Sequence, residues 1–280
     1  MTFADNMPAP AAEPKPWSHW GYDPETPWGP WSALAIGAVV LLIALIAVFV
    51  GTIAAAMLTG ATISPADAEG VRAPEVLALG MWGMLAGQIA AIAATLLVAT
   101  FKGGRLAAVL ALEPPRRGVL AYVGGMAIFL ATTVAAGLLI NFVLPHDQLE
   151  DLRQLAPVVH SSIWPVTLTC VTAGAALSEE LLFRGFLFSA LLRTPLGLTG
   201  TAVVTSVLWS LLHLSYSYQG VLLIFCLGLG LSAIMVRFGS IRVPIICHAL
   251  YNAMCFLYLK YALDPTTLTP APVASALGWQ

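Results

Sequence analysis

The chain has 280 residues, of which 59% are hydrophobic and 9% charged, with a net charge of −2 and a mean hydropathy of +0.87. A soluble protein carries roughly 25% charged residues, because polar groups must cover its core; 12 basic and 14 acidic residues cannot do so here. Disorder, nucleic-acid binding and a disulfide-stapled secreted module are excluded as well, since the chain is apolar, nearly neutral and has four cysteines. What remains is a multi-span membrane protein.

In chain order, a Pro/Ala-rich arm (1–31) comes first, with Trp17, Trp20, Trp28 and Trp31 expected at the headgroup level. It has neither the basic start nor the cleavage site of a signal peptide. Seven apolar stretches follow, at about 32–58, 77–101, 118–144, 163–192, 198–214, 219–236 and 243–262, where a helical crossing needs about 20 residues. They are continuously apolar rather than alternating, which excludes a transmembrane β-barrel. The expected fold is therefore an all-α polytopic bundle of seven to eight spans. The eighth would arise if the long fourth stretch broke near Gly174 or Gly185. A Pro-containing tail (264–280) ends the sequence.

Lys102, Arg105, Arg116, Arg117, Arg193, Arg237 and Arg242 fall in connections that share one side under a seven-span count. By the positive-inside rule that side is cytoplasmic, which puts the N-terminus inside. The opposite connections are acidic, with Asp67, Glu69 and Glu75 in one and Asp147, Glu150 and Asp151 in the other. Residues 32–160 carry no charge within their three spans and read as scaffold or gate. Residues 161–263 hold the polar groups and read as the functional half.

Of the 14 acids, only Glu179 and Glu180 lie inside a span; Arg184 is the one base well inside, and His213 and His248 are the intramembrane histidines. Each charge at mid-membrane costs roughly 2.5–3.5 kcal/mol on insertion scales, so such groups are candidates for function. The bland alternative covers two of them, because Glu180 and Arg184 stand at i and i+4 and can form a structural clasp. Glu179 faces about 100° away and has Phe183 four residues on, so the clasp leaves it out. Glu179 lies about 14 residues, or roughly 21 Å, from the Arg193 end, and His213 lies at a matching depth on the next span. His248 sits nearer the basic side, with Asn252 one turn deeper on the same face. A desolvated carboxylate can serve as general base, and an imidazole with an amide can form an oxyanion hole.

These residues carry a resemblance. Glu179-Glu180-Leu181-Leu182-Phe183-Arg184, followed by Gly185, is similar to the Glu-Glu-x-x-x-Arg motif of the intramembrane glutamate proteases related to the type II CAAX prenyl endopeptidases, the CPBP or abortive-infection family. Trp209-Ser210-Leu211-Leu212-His213 resembles the family's Phe-x-x-x-His, with Trp at a position expected to serve packing. His248-Ala249-Leu250-Tyr251-Asn252 matches His-x-x-x-Asn. The resemblance spans about residues 165–260. It implies that Glu179 activates water with help from His213, that His248 and Asn252 stabilise the oxyanion, and that Glu180 and Arg184 support them. It further implies a metal-independent endopeptidase with no cofactor. The implied partners are membrane lipids and a membrane-associated peptide or protein, prenylated or not, cleaved near its C-terminus, with no nucleic acid. A prokaryotic plasma membrane is the favoured location.

Three rivals stand beside this reading. A zinc hydrolase could use two histidines and a glutamate, but no His-Glu-x-x-His helix is present. A cysteine protease fares worse: Cys170, Cys226, Cys247 and Cys255 have no paired spacing and read as small core residues. A proton-coupled transporter, or a non-enzymatic scaffold or immunity protein, also accommodates intramembrane charge. Transport would call for polar residues along both halves of the pathway, whereas the first three spans offer only small hydroxyls and Gln88.

Overall fold

The computed structural model describes residues 22–61, 74–147 and 149–263. Most of the N-terminal arm, with Trp17 and Trp20, lies outside the described residues, as do Asp67, Glu69 and the 264–280 tail. Every regular element among the described residues is helical. Six helices are long and apolar enough to cross a membrane: α1 (Pro30–Thr59), α2 (Pro74–Thr100), α3 (Val119–Val143), α4 (Trp164–Leu191), α6 (Tyr218–Phe238) and α7 (Arg242–Tyr261). The fifth expected stretch is a shorter apolar helix, α5 (Gly197–His213), which tightens into a 3₁₀ turn at Leu211–His213.

Local chemistry sets the ends of these helices. Pro30 occupies the first turn of α1, where its missing N–H costs nothing. The Ser217 hydroxyl accepts the Gly220 N–H and so caps α6. That helix stops at Gly239, whose φ of 69° is a left-handed conformation open to glycine.

Contacts between connections define two ends of the bundle. At the basic end, Arg193 donates to the carbonyls of Thr26 and Pro24, Ile241 N–H to Ala111, and Arg242 Nε to Leu112. At the other end, Lys260 donates to the Val159 carbonyl, and Gln154 to that of Ser215. There the Asp151 carboxylate accepts both the N–H and the hydroxyl of Ser217. The short α5 therefore still runs from one end to the other, and the basic connections gather at a single face.

Two details differ from the expectations. Trp28 is buried, with its Nε1–H donated to the Val98 carbonyl at 3.1 Å, because residues 22–28 tuck into the basic end; Trp31, 82% exposed, keeps the outward position expected of it. The fourth stretch is continuous, and its two suspected break points fall in π-helical segments, Cys170–Gly174 and Glu180–Leu187. A π turn holds an extra residue and frees carbonyls from the usual ladder. The chain accommodates that here with side chains: Gln88 Nε2 donates to the Cys170 carbonyl at 3.0 Å, and Asn252 Nδ2 to that of Val171 at 2.8 Å.

Helix α4 is the centre of the molecule. It packs against α1, α2, α5 and α7, and every residue from Glu180 to Leu192 is buried.

Candidate active site

The second π segment of α4 begins at Glu180, directly after Glu179. Arg184 Nη1 donates to Glu180 Oε1 at 3.0 Å, and both side chains are fully buried. The clasp read from the i, i+4 spacing is thus present. A buried pair of this kind needs further partners to offset its desolvation. One is His248 on α7, whose Nδ1 lies 3.0 Å from the same Glu180 oxygen. With Arg184 holding Glu180 as the carboxylate, Nδ1 is the protonated ring nitrogen and Nε2 points elsewhere. A second partner is aromatic: the Arg184 guanidinium lies 4.2 Å from the Trp209 ring centroid.

Close approach of α6 completes the surroundings of Arg184. A Cβ on Gly228 would fall 2.8 Å from Ser206 and 3.0 Å from Arg184 Nη2, so only glycine fits without a shift.

Glu179 is half-buried and looks toward α5. Trp209 Nε1–H donates to Glu179 Oε2 at 2.5 Å. The expectation that this aromatic serves packing is incomplete, because the indole supplies a donor that a phenyl ring lacks. Four residues on, His213 Nδ1 lies 3.2 Å from the Trp209 carbonyl oxygen. A carbonyl only accepts, so Nδ1 carries the proton and Nε2 is left with its lone pair. The imidazoles of His213 and His248 each stand edge-on to the Trp209 ring, with centroids 5.6 Å away. Tyr216 packs against the other side of His213 at 5.5 Å.

Glu179, Arg184, His213 and His248 therefore meet at Trp209, and Glu180 joins them through Arg184 and His248. Asn252 stands on the same helix as His248, one turn on, with one amide N–H given to Val171. His248 is deeper than its distance from Arg242 predicts. The reason is that α7 starts deep: Leu110 and Ile241 come within about 3 Å of a Cβ placed on Gly185, so the basic-end connections dip toward the site. These buried residues close the basic side, while Glu179, His213, Tyr216 and Asn252 keep partial exposure.

The four cysteines are free, and Cys170 donates to the Met81 carbonyl. Among the described residues, no three His, Cys, Asp or Glu side chains are grouped to hold a metal ion. Tyr251, between His248 and Asn252, packs on Phe129 at 5.4 Å.

A bundle of long apolar helices with carboxylates and imidazoles gathered between them defines a multi-pass membrane protein with a polar centre. Residues 161–254 match the family described as type II CAAX prenyl endopeptidase Rce1-like, which covers α4 to α6 and most of α7. The resemblance carried by the three motifs holds over that segment, and the family implies a membrane protease acting on a membrane-associated peptide or protein. No curated protein and no solved structure matches the chain.

Proposed function

We propose that this protein is an intramembrane glutamate endopeptidase, working without a metal on a membrane-associated protein or peptide near its C-terminus. Glu179 takes a proton from water, and the resulting hydroxide attacks the scissile carbonyl carbon. His213 Nε2, free to accept, orients that water. The oxyanion is met by the His248 ring, which Glu180 orients through Nδ1, and by the second amide N–H of Asn252. Collapse of the tetrahedral intermediate breaks the C–N bond, and Glu179 returns its proton to the leaving amine. Glu180 and Arg184 hold the segment and orient His248.

The observation that carries this reading is the shared Trp209 contact. It brings a half-buried carboxylate and a half-buried imidazole, 34 positions apart, to one ring. The basic end is the cytoplasmic one, and the N-terminus lies inside. The favoured location is a prokaryotic plasma membrane.

The test is cleavage of a lipid-anchored CAAX-type peptide, prenylated and unprenylated, by detergent-purified protein. Glu179→Gln and His213→Ala are each expected to lower kcat by about 10²–10⁴-fold. Undiminished cleavage by both variants sinks the roles. Cleavage lost to a chelator and restored by zinc replaces the mechanism with a metal-dependent one.

A further inference from the structure

We infer that Trp209 is a positioning residue that sets the distance between the proposed general base and its imidazole partner; this rests on the functional reading above. Trp209 grips both groups at once, and by different parts of the same residue. Its backbone carbonyl holds His213 Nδ1 at 3.2 Å, and its indole N–H holds Glu179 Oε2 at 2.5 Å. The ring itself cannot drift, being 3% exposed and braced by Arg184 on its face and by both imidazoles edge-on.

Two consequences follow for the chemistry. The oxygens of Glu179 become inequivalent: Oε2 is committed to the indole, and Oε1 is the one that accepts the proton of the attacking water. The carboxylate is also held in one rotamer before substrate arrives, so its ordering is not required during the reaction. The 3₁₀ turn at Leu211–His213 serves the other half of the grip, bringing the His213 ring back over the Trp209 carbonyl. Phenylalanine at this position would keep the carbonyl contact and the aromatic bracing and lose only the N–H.

Trp209→Phe is therefore the probe, read in two ways. In ¹⁵N-labelled protein in detergent, the Trp209 indole N–H resonance, assigned by its loss in Trp209→Phe, is expected downfield of the other indoles. It should move upfield in Glu179→Gln, where the charged acceptor becomes a neutral amide. In turnover, Trp209→Phe is expected to lower kcat by about tenfold to a hundredfold with KM within about twofold, since a hydrogen bond to a charged group is lost and substrate contacts are not. A resonance that ignores Glu179→Gln overturns the inference, and so does wild-type kcat in Trp209→Phe. A change confined to KM also overturns it, by moving Trp209 to the substrate. The resonance test needs no turnover, so a protein that cleaves nothing refutes the functional reading while the indole contact is still decided.

Discussion

Helices α1–α3 and helices α4–α7 solve the membrane problem in opposite ways. The first group turns long apolar side chains outward, among them Leu45, Phe49, Leu58, Leu138 and Phe142, each more than 60% exposed. Several of its hydroxyls are satisfied within their own helices, as when Thr52 and Thr133 return theirs to carbonyls four residues back, while Gln88 reaches across to α4. The second group turns inward and buries Glu180, Arg184, Ser189, Thr205 and His248. Lipid offers helices no hydrophobic reason to associate, so the polar contacts and close packing of α4–α7 must do that work. The difference separates an outward apolar face from a buried polar centre.

The largest effect that would break this division is chemical. Glu179→Gln should remove about 10²–10⁴-fold of turnover while thermal unfolding in detergent stays near that of the parent, because the side chain is only half-buried. Comparable activity in the variant would return the inner group to a merely structural role. Next comes the clasp. Glu180→Gln strands the Arg184 cation in a fully buried site and should destabilise the protein by about 3–5 kcal/mol, read from denaturation in mixed detergent. The double change Glu180→Gln with Arg184→Met should recover much of that loss, and a double variant as unstable as the single one would contradict the pairing.

A glycine pair gives a smaller and more direct contrast. Gly228→Ala meets Ser206 and Arg184 and should cost about 1–3 kcal/mol. Gly137→Ala, on α3, meets nothing within 4 Å and should be neutral or stabilising by up to about 1 kcal/mol. Equal effects at the two sites would blur the boundary between inner and outer helices.

The smallest effect lies outside both groups, at the acidic end. The Leu149 N–H first, and then Arg153, hold the Asp147 carboxyl below its usual range. Its folded-state pKa is the depressed one, so its contribution is present above the ordinary carboxylate range of about 4 and disappears as pH falls through the lower folded value. Asp147→Asn should thus flatten a slight acid limb of the stability profile and change little at neutral pH.

The contrast in buried charge between the two groups was legible in the sequence. Charge is expensive in lipid, so Glu179, Glu180 and Arg184 stood out from apolar neighbours, and the i, i+4 rule paired Glu180 with Arg184 correctly. Other features left no periodic signal. The wide turns of α4 each add one residue to a helix that is apolar either way, and Gly174 and Gly185 looked like breaks instead. The depth of His248 depended on connections that dip inward, which span counting treats as surface. Trp209 was read through its resemblance to a phenylalanine, which hides the one atom that matters, and its partner Glu179 is 30 positions away. Trp28 was placed at the interface by a residue-type rule that does not see the acceptor waiting at Val98.

The docking of residues 22–28 has a consequence for the making of the protein. The carbonyl that accepts from Trp28 is 70 positions on, and the guanidinium that donates to Thr26 is 167 positions on. At about 5–20 residues per second, the second partner is synthesised roughly 10–30 s after Thr26 itself. The contacts that hold the arm thus become available in order along the chain, with α2 first, Ala108 next and Arg193 last. Until Arg193 has been made, the carbonyls of Thr26 and Pro24 lack the guanidinium that donates to them in the finished protein.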